Sequence, residues 1–205
     1  MTTASETETI PQTGFDPAAF WLAHKSKIII YSSIVIVAVL GFALYEISHQ
    51  RAMAGARLAL STASSEDEYR DLIQKFPGTA AAGDASLLLA EKLRDDKKYD
   101  DAIATLQAMI DHQPNHPLID GAWLSLAATY NVQGKLDQAL DTYKQVATKF
   151  ADRASAPQAL YAVAEILKSQ GKLDDAKIAY ENVNSQYHDS LFAQEALEKL
   201  QLLKK

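Results

Sequence analysis

The sequence predicts an all-α protein in which one membrane-spanning helix precedes a solenoid of stacked helical hairpins. Two observations carry this prediction: an uncharged apolar run near the amino terminus and a repeat of 37 residues in the rest of the chain. Small alanines keep this step in two series, at Ala90, Ala127 and Ala164 and, twelve residues further on, at Ala102, Ala139 and Ala176. A repeat of this length is typical of helical hairpins that stack, because one hairpin cannot bury its apolar face alone.

Length and composition narrow the class of protein. The 205 residues carry a net charge of -6, and 48% of them are hydrophobic, which is enough for one packed domain with an appendage. The acidic balance argues against nucleic acid as a partner, because phosphate binding needs clustered Lys and Arg. The absence of cysteine excludes disulfides, thiolate metal sites and cysteine nucleophiles.

The apolar run covers residues 28–45 and contains no charged side chain. As a helix it is about 27 Å long, close to the roughly 30 Å hydrocarbon core of a bilayer. Ser32 and Ser33 are compatible with that position, since a helical hydroxyl can donate to a carbonyl one turn earlier. Tyr31 and Tyr45 lie near the ends, where aromatic side chains favour the membrane interface. We therefore predict an uncleaved signal anchor.

Two other interpretations of this run stay open. A buried core helix is also apolar on every side, and a cleaved signal peptide also lies near the amino terminus. Against a signal peptide, 27 residues precede the run, with Glu6, Glu8 and Asp16 among them. No small-x-small cleavage site follows Tyr45 directly.

Flanking charges predict the orientation of the span. Lys25 and Lys27 adjoin its amino-terminal end, whereas Arg51 and Arg57 lie farther from its carboxyl-terminal end. Basic residues closest to a span favour the cytoplasm, so the amino terminus is predicted inside and the large domain outside.

The residues before the span divide into two segments. Residues 1–14 are rich in Thr and Glu, cannot bury enough surface to fold, and are predicted to be a disordered tail. Residues 15–27 contain Phe15, Phe20 and Trp21 and are predicted to be a short amphipathic lead-in at the membrane interface.

The 37-residue step predicts three full repeats, at residues 83–119, 120–156 and 157–190. Each contains an apolar stripe at helical spacing, a polar turn and a second stripe. Gly134 and Gly171 lie in these turns, where a left-handed residue ends the first helix. Lys97 takes this position in the first repeat, so we expect that turn to be strained or differently shaped. Acidic residues follow each turn, near the positive end of the second helix.

The same step extends beyond the three repeats in both directions. Tyr69 and Phe76 continue the pattern upstream, so residues 46–82 are predicted to be a helical extension of the span and a degenerate repeat. Within it, Ser64 or Ser65 is expected to cap a helix, with Glu68 completing a capping box for Ser65. Residues 191–205 are predicted to be a capping helix with a polar outer face that includes Lys204 and Lys205.

These residues resemble the tetratricopeptide repeat, a pattern of large and small apolar positions around a glycine turn. The second repeat carries this pattern at Trp123, Leu126, Ala127, Tyr130, Gly134, Leu136, Ala139 and Tyr143. The first and third repeats follow it at most of the same positions, so the resemblance covers roughly residues 83–191. It implies a tetratricopeptide-like α-solenoid that binds other proteins.

By that resemblance, the first helices of the repeats line a concave face. The candidate protein-binding groove then consists of Leu87, Glu91, Arg94, Leu124, Ala128, Asn131, Tyr161, Glu165 and Lys168. This set is mixed in charge and size and does not match the Lys- and Asn-rich clamp of repeat proteins that bind carboxyl-terminal peptides. For any one of these residues, the alternative is an ordinary solvated helix face.

The sequence predicts no catalytic, metal or cofactor site. His112 and His116 are four residues apart, but Pro114 breaks the helix that would align them, and we interpret both as solvated loop histidines. The chain contains no phosphate-binding loop, nucleophile elbow or zinc-binding helix motif. Paired aspartates lie at turns and helix starts, where capping and solubility explain them, so the chain is predicted not to be an enzyme.

The whole layout also resembles a bacterial family, the membrane-anchored ancillary subunit of the SecYEG translocon, grouped with the repeat domain of a cell-division coordinator. The resemblance rests on the aromatic lead-in at Phe20 and Trp21, the span, and the stretch Ser48-His49-Gln50 that leads into a helix rich in small residues. It implies a non-enzymatic accessory role at the bacterial inner membrane, with translocon subunits or periplasmic chaperones as partners. The alternatives are an envelope scaffold for cell-wall or outer-membrane assembly machinery, and an enzyme whose site the sequence hides.

Overall fold

A computed structural model describes residues 16–203. The predicted disordered tail at residues 1–14, together with Phe15, Lys204 and Lys205, lies outside the described part. Residues 16–203 contain helices and no strand, which confirms the all-α fold class. The helices are α1 Pro17–Thr62, α2 Glu66–Lys75, α3 Ala80–Asp95, α4 Tyr99–His112, α5 Ile119–Val132, α6 Leu136–Lys149, α7 Ser155–Ser169, α8 Leu173–Gln186 and α9 Leu191–Leu202.

The chain divides into two compact parts after His49, and the first part consists of most of α1. The Asp16 carboxylate accepts a hydrogen bond from the Ala18 backbone N–H at 2.9 Å and so satisfies one free amide at the helix start. Ser32 Oγ donates to the Ile28 carbonyl at 2.6 Å, and Ser33 Oγ donates to the carbonyl of Ile29 at 2.7 Å. These bonds confirm that both hydroxyls are satisfied within the helix.

The apolar side chains of α1 are exposed. Val37, Phe42 and Leu44 each keep 69% of their surface accessible, and none of the most apolar stretch is buried. The interpretation as a buried core helix is therefore wrong. Among the described residues, α1 is the helix that is long and apolar enough to cross a membrane. A signal sequence has the same length and composition, and it stays the alternative.

The second part of the chain begins with the end of α1, which forms a degenerate hairpin with α2. Ala56 and Leu72 are almost fully buried, and the Phe76 ring lies where it would touch a side chain added at Gly55. Ser65 caps α2 through a capping box: its hydroxyl accepts from the Glu68 N–H at 3.3 Å, as expected.

The Glu68 carboxylate completes this capping box. It accepts from the backbone N–H groups of Ser64, at 2.8 Å, and Ser65, at 3.0 Å. These hydrogen bonds hold the pKa of Glu68 below its ordinary value, with the Ser64 N–H as the largest cause.

Three regular hairpins follow, α3–α4, α5–α6 and α7–α8, and we call them the first, second and third hairpin. The six alanines of the repeat are each at most 1% exposed, because the two helices of each hairpin approach closely at these positions. Large side chains fill the space between hairpins, and Tyr143 and Tyr180 are only 6% and 0% exposed. Small and large positions therefore have the packing roles that the repeat predicts.

The turn inside each hairpin has the same left-handed conformation. Lys97 has φ 60°, against 82° for Gly134 and 75° for Gly171. The residue after each of them donates its N–H to a carbonyl five residues earlier, at 2.8, 2.9 and 3.0 Å. The first turn is thus strained, because Lys97 has a side chain in a region that favours glycine, but it is not differently shaped.

The acidic residues after the turns do not cap the second helices with their side chains. The N-cap residues are Lys98, Lys135 and Lys172, and none of the three makes a side-chain capping bond. Asp100 instead links two hairpins, since its carboxylate accepts from Gln133 Nε2 at 2.9 Å and from Lys135 Nζ at 3.3 Å. The Gln133 bond is the first cause that holds the pKa of Asp100 below its ordinary value.

His116 is buried rather than solvated, which corrects the sequence-based interpretation. Its side chain is 3% exposed and lies against the start of α3. Nε2 is 3.0 Å from the Ala80 carbonyl oxygen, and Nδ1 accepts from the Leu118 N–H at 3.1 Å. A side chain at Gly83 would come within 2.5 Å of the ring, so glycine permits this contact. His112 is exposed, as predicted, but it is the last residue of α4 and not part of a loop.

The connection between the second and third hairpins uses the same repeat positions, but with other residues. Arg153 lies one 37-residue step after His116. It donates at 2.9 Å to the carbonyl of Pro117, which lies one step after Ala80. It also donates at 2.7 Å to the carboxylate of Asp120, which lies one step after Gly83. In both connections between hairpins, a residue of the connecting loop is therefore bonded to the start of the first helix of the preceding hairpin.

Candidate functional site

The first helices α3, α5 and α7 carry all nine candidate groove residues. The structure divides these residues by exposure. Leu87, Leu124, Ala128 and Tyr161 are partly buried against the core, whereas Glu91 and Asn131 are exposed. The apolar members therefore both support the core and form part of the surface that a partner would contact.

Near α3, a polar contact of a candidate residue links neighbouring hairpins. Arg94 Nη1 lies 3.5 Å from Ser125 Oγ on α5, so the guanidinium is held between the first and second hairpins. Glu91 lies three residues before Arg94 on the same helix. None of the three α3 candidates lines the cavity that other candidates form near α7.

Near α7, three of the candidate groove residues line one cavity of about 390 Å³. Asn131 comes from α5, and Tyr161 and Glu165 come from α7. The remaining lining residues are Gln158, Ala162, Ile166, Ser169 and Phe192. The volume lies within the range typical of ligand sites, and the lining combines aromatic rings, amides and one carboxylate.

Aromatic rings form one wall of this cavity. The Tyr161 ring centroid lies 5.7 Å from that of Tyr180 in an edge-on arrangement, and 5.8 Å from that of Phe192. These distances are typical of favourable aromatic pairs, which hold the rings in place before a ligand arrives. The wall is therefore an ordered apolar surface.

Glu165 supplies the negative charge of the cavity. Its carboxylate accepts from Lys168 Nζ at 2.8 Å and from the Tyr180 hydroxyl. Partial burial alone raises the pKa of Glu165, but these two hydrogen bonds outweigh it and hold the pKa below its ordinary value. Glu165 is therefore ionised at neutral pH, and Lys168 balances its charge.

The same carboxylate affects both tyrosines. Burial, followed by the charges of Glu165 and Glu195, raises the pKa of Tyr161 to about 12. Burial and the hydrogen bond to Glu165 also raise the pKa of Tyr180. Both phenols therefore stay protonated at physiological pH and remain hydrogen-bond donors.

Sequence reasoning missed Gln158 and Phe192 in this cavity. Gln158 lies three residues before Tyr161, so helical spacing alone places the two on one face. Phe192 lies in α9, and the repeat could have located it. Ala196 and Leu200 stand one step after Ala159 and Val163, so α9 corresponds to the first helix of a further hairpin.

Residues 16–203 hold no group of three or more His, Asp or Glu side chains that would suit a metal ion. The fold defines a class of protein, the helical-repeat modules, which commonly bind other proteins.

The chain belongs to the tetratricopeptide repeat-like domain family, which it matches over residues 18–204. No curated protein is significantly similar to it in sequence. Repeat domains of this family are typically non-catalytic scaffolds for protein partners.

Solved structures share the fold at low sequence identity. BtubC (BKLC) from P. vanneervenii is 18% identical, with a TM-score of 0.55 over 76% of this chain and 65% of that one. A tetratricopeptide repeat protein from Parabacteroides merdae is 14% identical, with a TM-score of 0.56 over 77% and 60% of the two chains. The chain thus spans less than two thirds of either relative, and these likenesses concern the fold alone.

Proposed function

We propose that the chain is a membrane-anchored protein-binding scaffold that acts as an accessory subunit near the bacterial protein-export translocon. Its partners are translocon subunits or periplasmic chaperones, and it binds them outside the cytoplasm. The observation that carries the binding role is the preformed cavity on the first-helix face, where Asn131, Tyr161 and Glu165 meet. The exposed apolar surface of α1 supports the anchor.

The chemistry of the cavity favours an extended protein segment as its ligand. Asn131 and Gln158 carry amides that can both donate to and accept from a peptide backbone. Tyr161 and Phe192 offer ring faces to an apolar side chain. The Glu165 charge is balanced by Lys168, so the cavity does not require a charged ligand.

The proposed position in the membrane agrees with this choice of partner. A carboxyl-terminal domain outside the cytoplasm would meet exported chains as they leave the translocon. The basic residues Lys25 and Lys27 before the span favour this orientation. Reporter fusions at both ends test it, and a cytoplasmic carboxyl terminus would refute the proposed role.

Site-specific cross-linking tests the partner. Because the chain has no cysteine, a single cysteine at Asn131 carries a photoreactive label at one defined place. The control is a cysteine at Lys144, which is exposed on the second helix α6. We expect translocon subunits or periplasmic chaperones to be recovered from position 131 and not from position 144. Recovery of only cell-wall or outer-membrane assembly proteins would replace this proposal by an envelope scaffold.

A matched pair of substitutions tests the cavity itself. Asn131→Lys places an ammonium group at the cavity, whereas Asn182→Lys makes the same change on α8, away from it. Both asparagines are exposed, so neither change disturbs the core. We expect Asn131→Lys to weaken partner recovery about tenfold and Asn182→Lys to leave it unchanged. Equal recovery with both variants would exclude the cavity as the binding site.

A further inference from the structure

One cation of the candidate groove has no counter-ion in the described part of the chain. Arg94 on α3 is partly buried, and its Nη1 lies 3.5 Å from the Ser125 hydroxyl on α5. Its guanidinium forms no ion pair with any described carboxylate. Glu91, three residues earlier on the same helix, is exposed and does not pair with it. A partly buried guanidinium that lacks a carboxylate favours an anionic ligand.

A second unpaired donor lies within reach of this charge. Tyr143 on α6 is only 6% exposed, and its hydroxyl makes no hydrogen bond with any residue that the structure describes. The hydroxyl oxygen is not fully enclosed, so a ligand can reach it. Burial raises the pKa of Tyr143, and the positive charge of Arg94 opposes this rise, so the guanidinium acts on the phenol. Both groups are therefore available to donate to one acceptor.

The third hairpin shows which acceptor fits beside such a phenol. Tyr180, one 37-residue step after Tyr143, donates its hydroxyl to the Glu165 carboxylate. Ala128 lies one step before Glu165, so the second hairpin has the phenol but lacks the carboxylate. Ala128 is partly buried, and its methyl group is much smaller than a glutamate side chain. Glu165 therefore shows, within the same chain, the kind of group that the second hairpin lacks.

The repeat also places Arg94 beside Ala128. Asn131 lines the third-hairpin cavity together with Glu165. Arg94 lies one step before Asn131, and Ala128 lies one step before Glu165. Arg94 is therefore positioned toward Ala128 as Asn131 is positioned toward Glu165. In the third hairpin Lys168 neutralises the carboxylate, whereas in the second hairpin the available charge is that of Arg94.

We propose that Arg94 and Tyr143 bind the side-chain carboxylate of an Asp or Glu residue in the protein segment that occupies the groove. The carboxylate lies over Ala128, as Glu165 lies in the next hairpin, and accepts from the guanidinium and the phenol. This inference rests on the proposed function, because it specifies one residue of the bound segment. The site lies at α5, with α3 and α7 on either side, so a segment extends past it in both directions and presents a side chain rather than a terminus.

A tethered carboxylate tests the site without any ligand. Ala128→Glu places a carboxylate at the repeat position of Glu165, and Ala128→Gln has the same size without the charge. We expect the full chain in detergent at neutral pH to melt about 3 °C higher with Ala128→Glu than with Ala128→Gln. Equal melting temperatures, or a lower one for Ala128→Glu, would overturn the site.

Three second-site variants identify the groups that hold this carboxylate. Arg94→Gln and Tyr143→Phe should each reduce the difference in melting temperature, and together they should abolish it. Lys144→Gln is the matched control, because it also removes one positive charge but lies exposed on the second helix α6. The difference should persist in this variant. Loss of the difference with Lys144→Gln as well would indicate a general effect of charge and would refute the site.

Two matched peptide libraries test the ligand. Both have blocked ends and flanking residues randomised without Asp or Glu, and the central residue is Glu in one library and Gln in the other. We expect the full chain in detergent to capture the Glu library about tenfold more than the Gln library, as counted by mass spectrometry. Arg94→Gln should abolish this preference, and Lys144→Gln should keep it.

The possible outcomes separate this inference from the proposed function. Equal capture of both libraries would refute the carboxylate site and leave the groove as a protein-binding surface. Capture of neither library would refute both. A Gln library with a free carboxyl terminus that is captured as well as the Glu library would assign the site to a chain terminus and refute the side-chain assignment.

Discussion

The first and second hairpins have the same helices, the same buried alanines and the same left-handed turn, yet they differ where the repeat permits other residues. Ser86 stands in place of Trp123, Lys97 in place of Gly134, and His116 in place of Arg153. The first difference leaves a small buried side chain where the next hairpin has an indole, the second strains a turn, and the third replaces a surface ion pair by a buried ring. The alanines common to both hairpins therefore maintain the helix pairing, while the residues that differ change the local packing and surface.

The largest loss of stability is expected where the His116 ring packs against Gly83. Gly83→Leu should destabilise the repeat domain by about 3 kcal/mol, because the added side chain meets the His116 ring within 2.5 Å. That ring is hydrogen-bonded on both nitrogens and cannot move without shifting the loop. Urea unfolding of the full chain in detergent measures the change.

Gly121→Ala is the control for this prediction. Nothing lies within 4 Å of the position that its side chain would take in α5. Helix propensity then favours alanine by about 1 kcal/mol, so the control should be stabilised. Equal effects of Gly83→Leu and Gly121→Ala would show that the His116 contact does not constrain the junction.

A smaller loss of stability is expected when the hydrogen bond between the Tyr180 hydroxyl and the Glu165 carboxylate of the third hairpin is removed. Tyr180→Phe removes the hydroxyl that donates to Glu165 and should cost about 1.5 kcal/mol at neutral pH. Tyr143→Phe is the control, because Ala128 takes the position of Glu165 one step earlier, and the charge that acts on the Tyr143 hydroxyl is that of Arg94. Unfolding by denaturant, followed by circular dichroism, compares the two.

The pH dependence of this contact has a defined sign. The pKa of Glu165 in the folded protein is lowered from its ordinary value of 4.5, so its stabilising contribution is complete above that value. It is lost as the pH falls through the lowered pKa. The cost of Tyr180→Phe should therefore shrink on acidification below that range, and a cost that grows instead would contradict the assignment.

The turns provide a reciprocal test. Lys97→Gly should stabilise the protein by about 1 kcal/mol, and Gly134→Lys should destabilise it by about the same amount, because both positions have positive φ. Thermal unfolding of both variants measures the two shifts. Shifts of the same sign would show that the turns are not equivalent.

The smallest effect is expected at the helix starts. Ser65→Ala removes the capping box of α2 and should cost about 0.5–1 kcal/mol. Lys172→Ala is the control, since α8 begins without a side-chain capping bond. Hydrogen exchange of the amides in the first turn of each helix resolves this difference. Equal protection in both variants would mean that the cap does not stabilise α2.

Most of the fold could be predicted from the sequence, because the 37-residue repeat is visible in the order of residues along the chain. The alanine series located both helices of each hairpin, and Ser65 with Glu68 located the start of α2. The site was harder to predict. The pattern placed Asn131, Tyr161 and Glu165 on one face, but Phe192 joins them only because α9 stacks on α7. The burial of His116 was missed, since Pro114 identifies a loop without showing what packs against it.

By itself, the sequence determined the order of helices, the apolar character of α1 and the small residues where helices cross. Each follows from the chemistry of nearby residues or from repetition along the chain. Only the tertiary structure decided which polar groups meet: Glu165 with Tyr180, His116 with Ala80, and Asp100 with Gln133. The physical reason is that a repeat fixes spacing, whereas a cavity or hydrogen bond depends on which side chains stacking brings within a few ångströms.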